Sequence, residues 1–262
     1  MSTPSRLASA HPTRASITSS LVVELRRLIR SGIGLGVLVA FAFFGLSSPA
    51  LAIYMPEILG AAASSDQLTI SASQATPADA VSLFNQSAMQ LGLIVTVAVA
   101  ITSVGWDTRP GSSIFYRTRV RRLSTVLLPR LAVDWLIAWA TYSCGLLLTV
   151  VVTAGAIGRP PAAMVVKTWV ACGLYIVMAM SIGHLLAASL RRTTTAIALT
   201  TLLVLVLPVM NQVPGMSRRL PTALLLPTGP HAMPVIAALV VIALCSAGSV
   251  FIAGRQTLRR DA

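Results

Sequence analysis

The sequence predicts an all-α polytopic membrane protein: six transmembrane helices behind an N-terminal amphipathic helix, with both termini cytoplasmic. Three observations carry this. Of the 262 residues, 55% are hydrophobic and only 10% charged, where a soluble domain carries roughly 25% charged residues. The charges sit in short islands, leaving charge-free runs at 31–56, 80–106, 135–158, 168–190, 193–217 and 220–254. A hydrocarbon core of about 30 Å needs roughly 20 apolar helical residues, so each run is long enough to cross. Finally, with both ends placed inside, sixteen Lys and Arg fall on cytoplasmic segments and four outside, a strong positive-inside asymmetry. Helix is the only economical choice for such runs, because hydrocarbon offers no partner to open backbone groups. Barrel strands would alternate polar and apolar residues, and these runs do not. The net charge of +13 would otherwise suggest nucleic acid, but the basic residues lie between apolar runs rather than on one soluble face. No nucleic-acid partner is expected.

Residues 1–15 are polar and Pro-containing and are expected to form a disordered cytoplasmic arm. About thirty polar and mixed residues precede the first apolar run, a spacing unlike that of a cleaved signal peptide. In 16–31, Ile17, Leu21, Leu25, Leu28 and Ile29 share one helical face, while Glu24, Arg26, Arg27 and Arg30 occupy the rest. Such a segment suits an interfacial helix whose arginines meet anionic lipid. The six-helix domain, 32–254, has expected spans at 32–54, 84–106, 131–156, 168–190, 194–213 and 234–254. Gly32 and Gly36 form a small-residue pair that permits close helix contact. The 55–83 loop has no Lys or Arg and is placed outside. Between the fifth and sixth spans, Leu220–Leu226 is too short to cross and is bracketed by Pro221, Pro227, Pro230 and Pro234. A re-entrant or interfacial hairpin is expected there. Residues 255–262 form a cytoplasmic tail.

Little catalytic chemistry is visible. The chain has no G-x-x-x-x-G-K-S/T phosphate loop, no H-E-x-x-H pair and no G-x-S-x-G elbow. Cys144, Cys172 and Cys245 each fall inside an expected span and read as packing residues rather than a metal site. His184 is the one histidine in a span, suited to a hydrogen bond with a neighbouring helix or to a proton relay. Asp134 is the one acid in a span. It follows Arg130 by four residues, so an Arg130–Asp134 pair is expected to anchor the third span.

Six of the arginines crowd into GWDTRPGSSIFYRTRVRRLSTVLLPR, residues 105–130, the largest cytoplasmic loop. Arg109-Pro110-Gly111 forces a turn, and the following segment can form a short helix capped by Ser112 or Ser113. Ile114, Phe115 and Tyr116 give it an apolar bulge flanked by arginines. This stretch resembles the second cytoplasmic segment of ABC-2 type transporter permeases. Asp107 stands for the family's acid, Gly111-Ser112 for its Gly-Thr, Arg119-Val120-Arg121-Arg122 for its Pro-Val-Ser-Arg, and Arg130 for the basic residue entering span three. The family's Pro and Ser are missing, and the acid-to-Gly spacing carries an extra Arg-Pro.

The resemblance implies a six-span permease subunit with an amphipathic elbow helix, working in export and residing in a bacterial plasma membrane. It implies that the loop 107–125 is a coupling helix seated on a separate ATPase subunit. Asp107, Gly111, Phe115, Tyr116, Arg117, Arg119, Arg121 and Arg122 would form that contact. A dimer of ATPase subunits holding ATP and Mg, a second permease (identical or homologous) and membrane lipid are the implied partners. The permease itself would be no enzyme and carry no cofactor. A membrane-embedded enzyme, or a non-transporting membrane scaffold or immunity protein, is the alternative.

Overall fold

The computed structural model describes residues 15–63, 75–104, 124–190, 192–212, 220–225 and 232–258, and every element among them is helical. Helix α1 spans Ala15–Arg30 and α2 Ile33–Ala63. A second crossing is made of α3 (Pro77–Ser87), a π-helical turn (Ala88–Gly92) and α4 (Leu93–Val104). Helices α5 (Ser124–Ala156), α6 (Ala162–Leu190), α7 (Thr193–Val206) and α8 (Ala232–Leu258) complete the bundle. Six of these stretches are long and apolar enough to cross a membrane: Ile33–Met55, Pro77–Ser103, Leu127–Ala156, Ala162–Leu190, Thr193–Met210 and Ala232–Ala253.

Two of the crossings start earlier than hydropathy alone places them. The second begins at Pro77 because Thr76 caps it: the Thr76 backbone amide donates to the Asp79 carboxylate at 2.9 Å, and the Thr76 hydroxyl accepts from the Asp79 amide. That reciprocal box, with Pro at the first helical position, sets a helix start by local chemistry. The fourth begins at Ala162, five residues before Lys167, since a single cation near a helix end reaches water without breaking the helix. Helix α2 in turn runs on to Ala63, beyond the apolar run.

Crossings that follow one another in the chain run in opposite directions. Gly158, between α5 and α6, lies beside the ring of Pro77 at the start of α3. This end therefore gathers the start of α3, the end of α5 and the start of α6. The opposite end carries Arg130 and Arg192. Helix α6 is the central post: every residue from Ala171 to Ser181 is buried, and α4, α5, α7 and α8 all pack on it. The outward faces of α2, α7 and α8 are apolar and exposed, as at Phe43, Leu202 and Leu244, a surface that hydrocarbon covers without cost.

Close helix contact is made at Gly45 and Gly145. A methyl group at Gly45 would stand 2.5 Å from the Gly145 carbonyl oxygen, and one at Gly145 would stand 2.7 Å from the Phe41 carbonyl oxygen. At Gly32 and Gly36, where the spacing suggests a contact, an added methyl group would meet nothing within 4 Å among the described residues. Gly32 serves another purpose: at φ +70° it turns α1 into α2, a conformation that costs other residues. Between α7 and α8, the expected outer hairpin is represented by a 3-10 turn, Pro221–Leu225. Its Thr222, Ala223 and Leu224 are buried against α6 and α8.

Candidate functional site

Two polar constellations stand out in this apolar bundle, one at each end. At the arginine-bearing end, α1 lays Leu21, Glu24 and Leu28 along one stripe, and Glu24 and Leu28 are buried. The Glu24 carboxylate is split between two guanidinium groups. One oxygen lies 2.8 Å from Arg130 Nε on α5, and the other lies 2.9 Å from Arg27 Nε one turn along α1. Arg130 is only 2% exposed. A charge that is buried needs such a partner, so this bridge ties α1 to the first turns of α5. The sequence pattern puts Glu24 on the polar face of α1; it turns inward instead because Arg130 is there to receive it.

One turn further along α5, the Asp134 carboxylate accepts from the Ser103 hydroxyl of α4 at 2.5 Å. His184 Nε2 of α6 lies 3.4 Å from the same carboxylate oxygen, without the angle of a hydrogen bond. All three side chains are buried. The two residues of the expected Arg130–Asp134 anchor each also reach another helix, Arg130 to Glu24 of α1 and Asp134 to Ser103 of α4. Three crossings converge on Asp134. The order of contact is Ser–Asp–His. A nucleophilic triad needs the imidazole in the middle, where it can take the hydroxyl proton, so this arrangement locks helices rather than activating Ser103.

The opposite end holds a cavity of about 700 Å³ between α3, the first half of α6, the end of α7 and the 221–225 turn. On α6 its lining residues are spaced along one face, from Met164 through Lys167, Thr168 and Ala171 to Tyr175. From α3 and the π turn come Asn85, Gln86, Met89 and Gln90. A π turn adds one residue to a helix and shifts the faces on either side of it, and such turns recur at functional sites. Asn85 is held in place: the buried Tyr142 hydroxyl donates to its Oδ1 at 2.9 Å. Tyr142 is itself fixed by Phe84, stacked at 5.7 Å, and Phe41, edge-on at 6.0 Å. Asn85 is therefore a structural member of a helix. On the far wall, the Tyr175 hydroxyl donates to the Val204 carbonyl at 3.0 Å, joining α6 to α7.

Of the residues expected to touch a partner ATPase, Asp107, Gly111, Phe115, Tyr116, Arg117, Arg119, Arg121 and Arg122 lie outside the described residues. Arg130 and Asp134 lie within them, at the foot of α5. Sequence reasoning missed Glu24, Ser103 and the cavity. The charge islands flag Glu24 but leave its partner, 106 residues away, unknown. Among the described residues no group of three His, Cys, Asp or Glu side chains could hold a metal ion. Comparison of the chain with protein-family models, curated proteins and solved structures returns no match.

Proposed function

We propose that the chain is the membrane-spanning permease subunit of an ABC transporter, an exporter driven by a separate ATPase subunit that docks on loop 107–125. The observation that carries this reading is the Glu24–Arg130 bridge. It fastens the amphipathic α1 to the first turns of α5, the helix that the arginine-rich loop feeds. A load applied to that loop then reaches α1 and α5 together, and through Asp134 it reaches α4 and α6. Such a rigid foot is what a lever needs, and the six-span bundle supplies the moving body. The apolar bulge of Phe115 and Tyr116 can act as a buried anchor and the arginine rim can steer toward an acidic groove. A membrane-embedded enzyme is less well supported, because the buried Ser103–Asp134–His184 order leaves the hydroxyl facing a carboxylate instead of the imidazole of a nucleophilic triad.

Affinity purification from native membranes through a tag on this chain tests the proposal. An ATP-hydrolysing subunit should be recovered in stoichiometric amount and lost on Phe115→Asp or Arg119→Glu. A chain that purifies intact and alone from the wild-type membrane, or an ATPase recovery that both variants leave unchanged, overturns it.

A further inference from the structure

We infer that the 700 Å³ cavity is a binding site for an amphiphile with an anionic headgroup. The volume falls in the range of small-molecule sites, about 300–1,000 Å³, and the lining is divided by chemistry. Lys167 is the single lysine of the chain. Among the described residues it is the one charged group on the cavity wall, and no carboxylate lines it. Beside it on the same helical face stands Thr168. Asn85, whose Oδ1 already accepts one bond from Tyr142, keeps its amide N–H groups as donors for a ligand. Gln86 and Gln90 add further amides, at positions that would be costly if they faced lipid tails. A cation and several donors without a competing acid select an anion.

Much of the rest of the wall is apolar. Met89, Met164, Leu205, Pro208 and Leu225 line it, and methionine adapts to chains of varied shape. From Lys167 to Tyr175 the α6 face descends about 12 Å, at 1.5 Å per residue. That accommodates a head at the helix start and a tail alongside it. The site is a property of this chain alone and does not depend on coupling to an ATPase.

The test is direct binding to the full chain in phosphatidylcholine nanodiscs. The probe is fluorescent lysophosphatidylglycerol, with unlabelled lysophosphatidylglycerol, oleate, lysophosphatidylcholine and inorganic phosphate as competitors. Lysophosphatidylglycerol or oleate should displace the probe; the tighter of the two tells whether a phospholipid head or a free acid is preferred. Lysophosphatidylcholine should compete at least tenfold more weakly. Lys167→Gln should weaken probe binding about tenfold, whereas Arg159→Gln, an exposed cation at the same end outside the cavity, should leave it unchanged. Leu205→Trp, which fills the cavity from a partly exposed position, should abolish binding in a chain that still elutes as a single folded species. Equal competition by lysophosphatidylcholine, full competition by inorganic phosphate, or unchanged binding in Lys167→Gln and Leu205→Trp overturns the inference. So does a finding that both variants act only by dissociating a second copy of the chain seated on this face.

Discussion

At the scale of single residues, the bundle concentrates its few polar groups where each has a cross-helix task. Removing the Asp134 carboxylate deprives Ser103 of one acceptor and leaves His184 facing apolar volume. Asp134→Leu should cost about 1–3 kcal/mol, the desolvation penalty of stranded buried polar groups. Asp134→Asn, which keeps an acceptor for Ser103, should cost less. Unfolding by sodium dodecyl sulfate followed by circular dichroism ranks the two. In a double-mutant cycle, Glu24→Gln and Arg130→Gln should show a coupling of more than about 1 kcal/mol, as expected of a desolvated pair. Arg27→Gln, removing the partner with 41% of its side chain exposed, should cost less than about 1 kcal/mol. The acid in a span and the histidine in a span are both legible in the sequence. Their meeting is not, because nothing local brings residues fifty positions apart on different helices to one point.

At the scale of the helix, periodicity and charge islands mark where a crossing exists, while backbone chemistry decides where it begins and what it touches. Thr76 and Asp79 illustrate the first point. The cap sits in polar sequence, outside the apolar run, so hydropathy overlooks it; Thr76→Ala should cost about 0.5–2 kcal/mol. The glycines illustrate the second. Gly32 and Gly36 have the spacing of a contact motif but open surroundings, whereas Gly45 and Gly145, a hundred residues apart, form the crossing of α2 and α5. Spacing within one helix cannot reveal a pair shared between two. Gly145→Leu puts side-chain atoms against the Phe41 backbone, which cannot swing aside, and should destabilise the bundle by more than about 2 kcal/mol. Gly36→Ala meets nothing within 4 Å among the described residues and should be neutral to within about 0.5 kcal/mol. Melting temperatures in detergent separate the two outcomes.

For the molecule as a whole, the number of candidate crossings follows from the charge-free runs, since water and hydrocarbon impose the strongest constraint on the chain. The orientation expected from the arginine asymmetry is open to a direct check. With the native cysteines replaced, Ser71→Cys should react with an impermeant maleimide in intact cells. Ser113→Cys should react only after lysis. The cavity is illegible in the sequence because its walls come from several elements far apart in the chain, and only Lys167 among their residues is conspicuous. One further consequence follows from the carboxylate held between Arg27 and Arg130. At about 5–20 residues per second of synthesis, the ribosome makes Arg130, 106 positions downstream, on the order of 5–20 s after Glu24. Throughout that wait Arg27 is already at hand as a stand-in, so the nascent segment need never present a bare acid to the translocation machinery before its long-range companion is born.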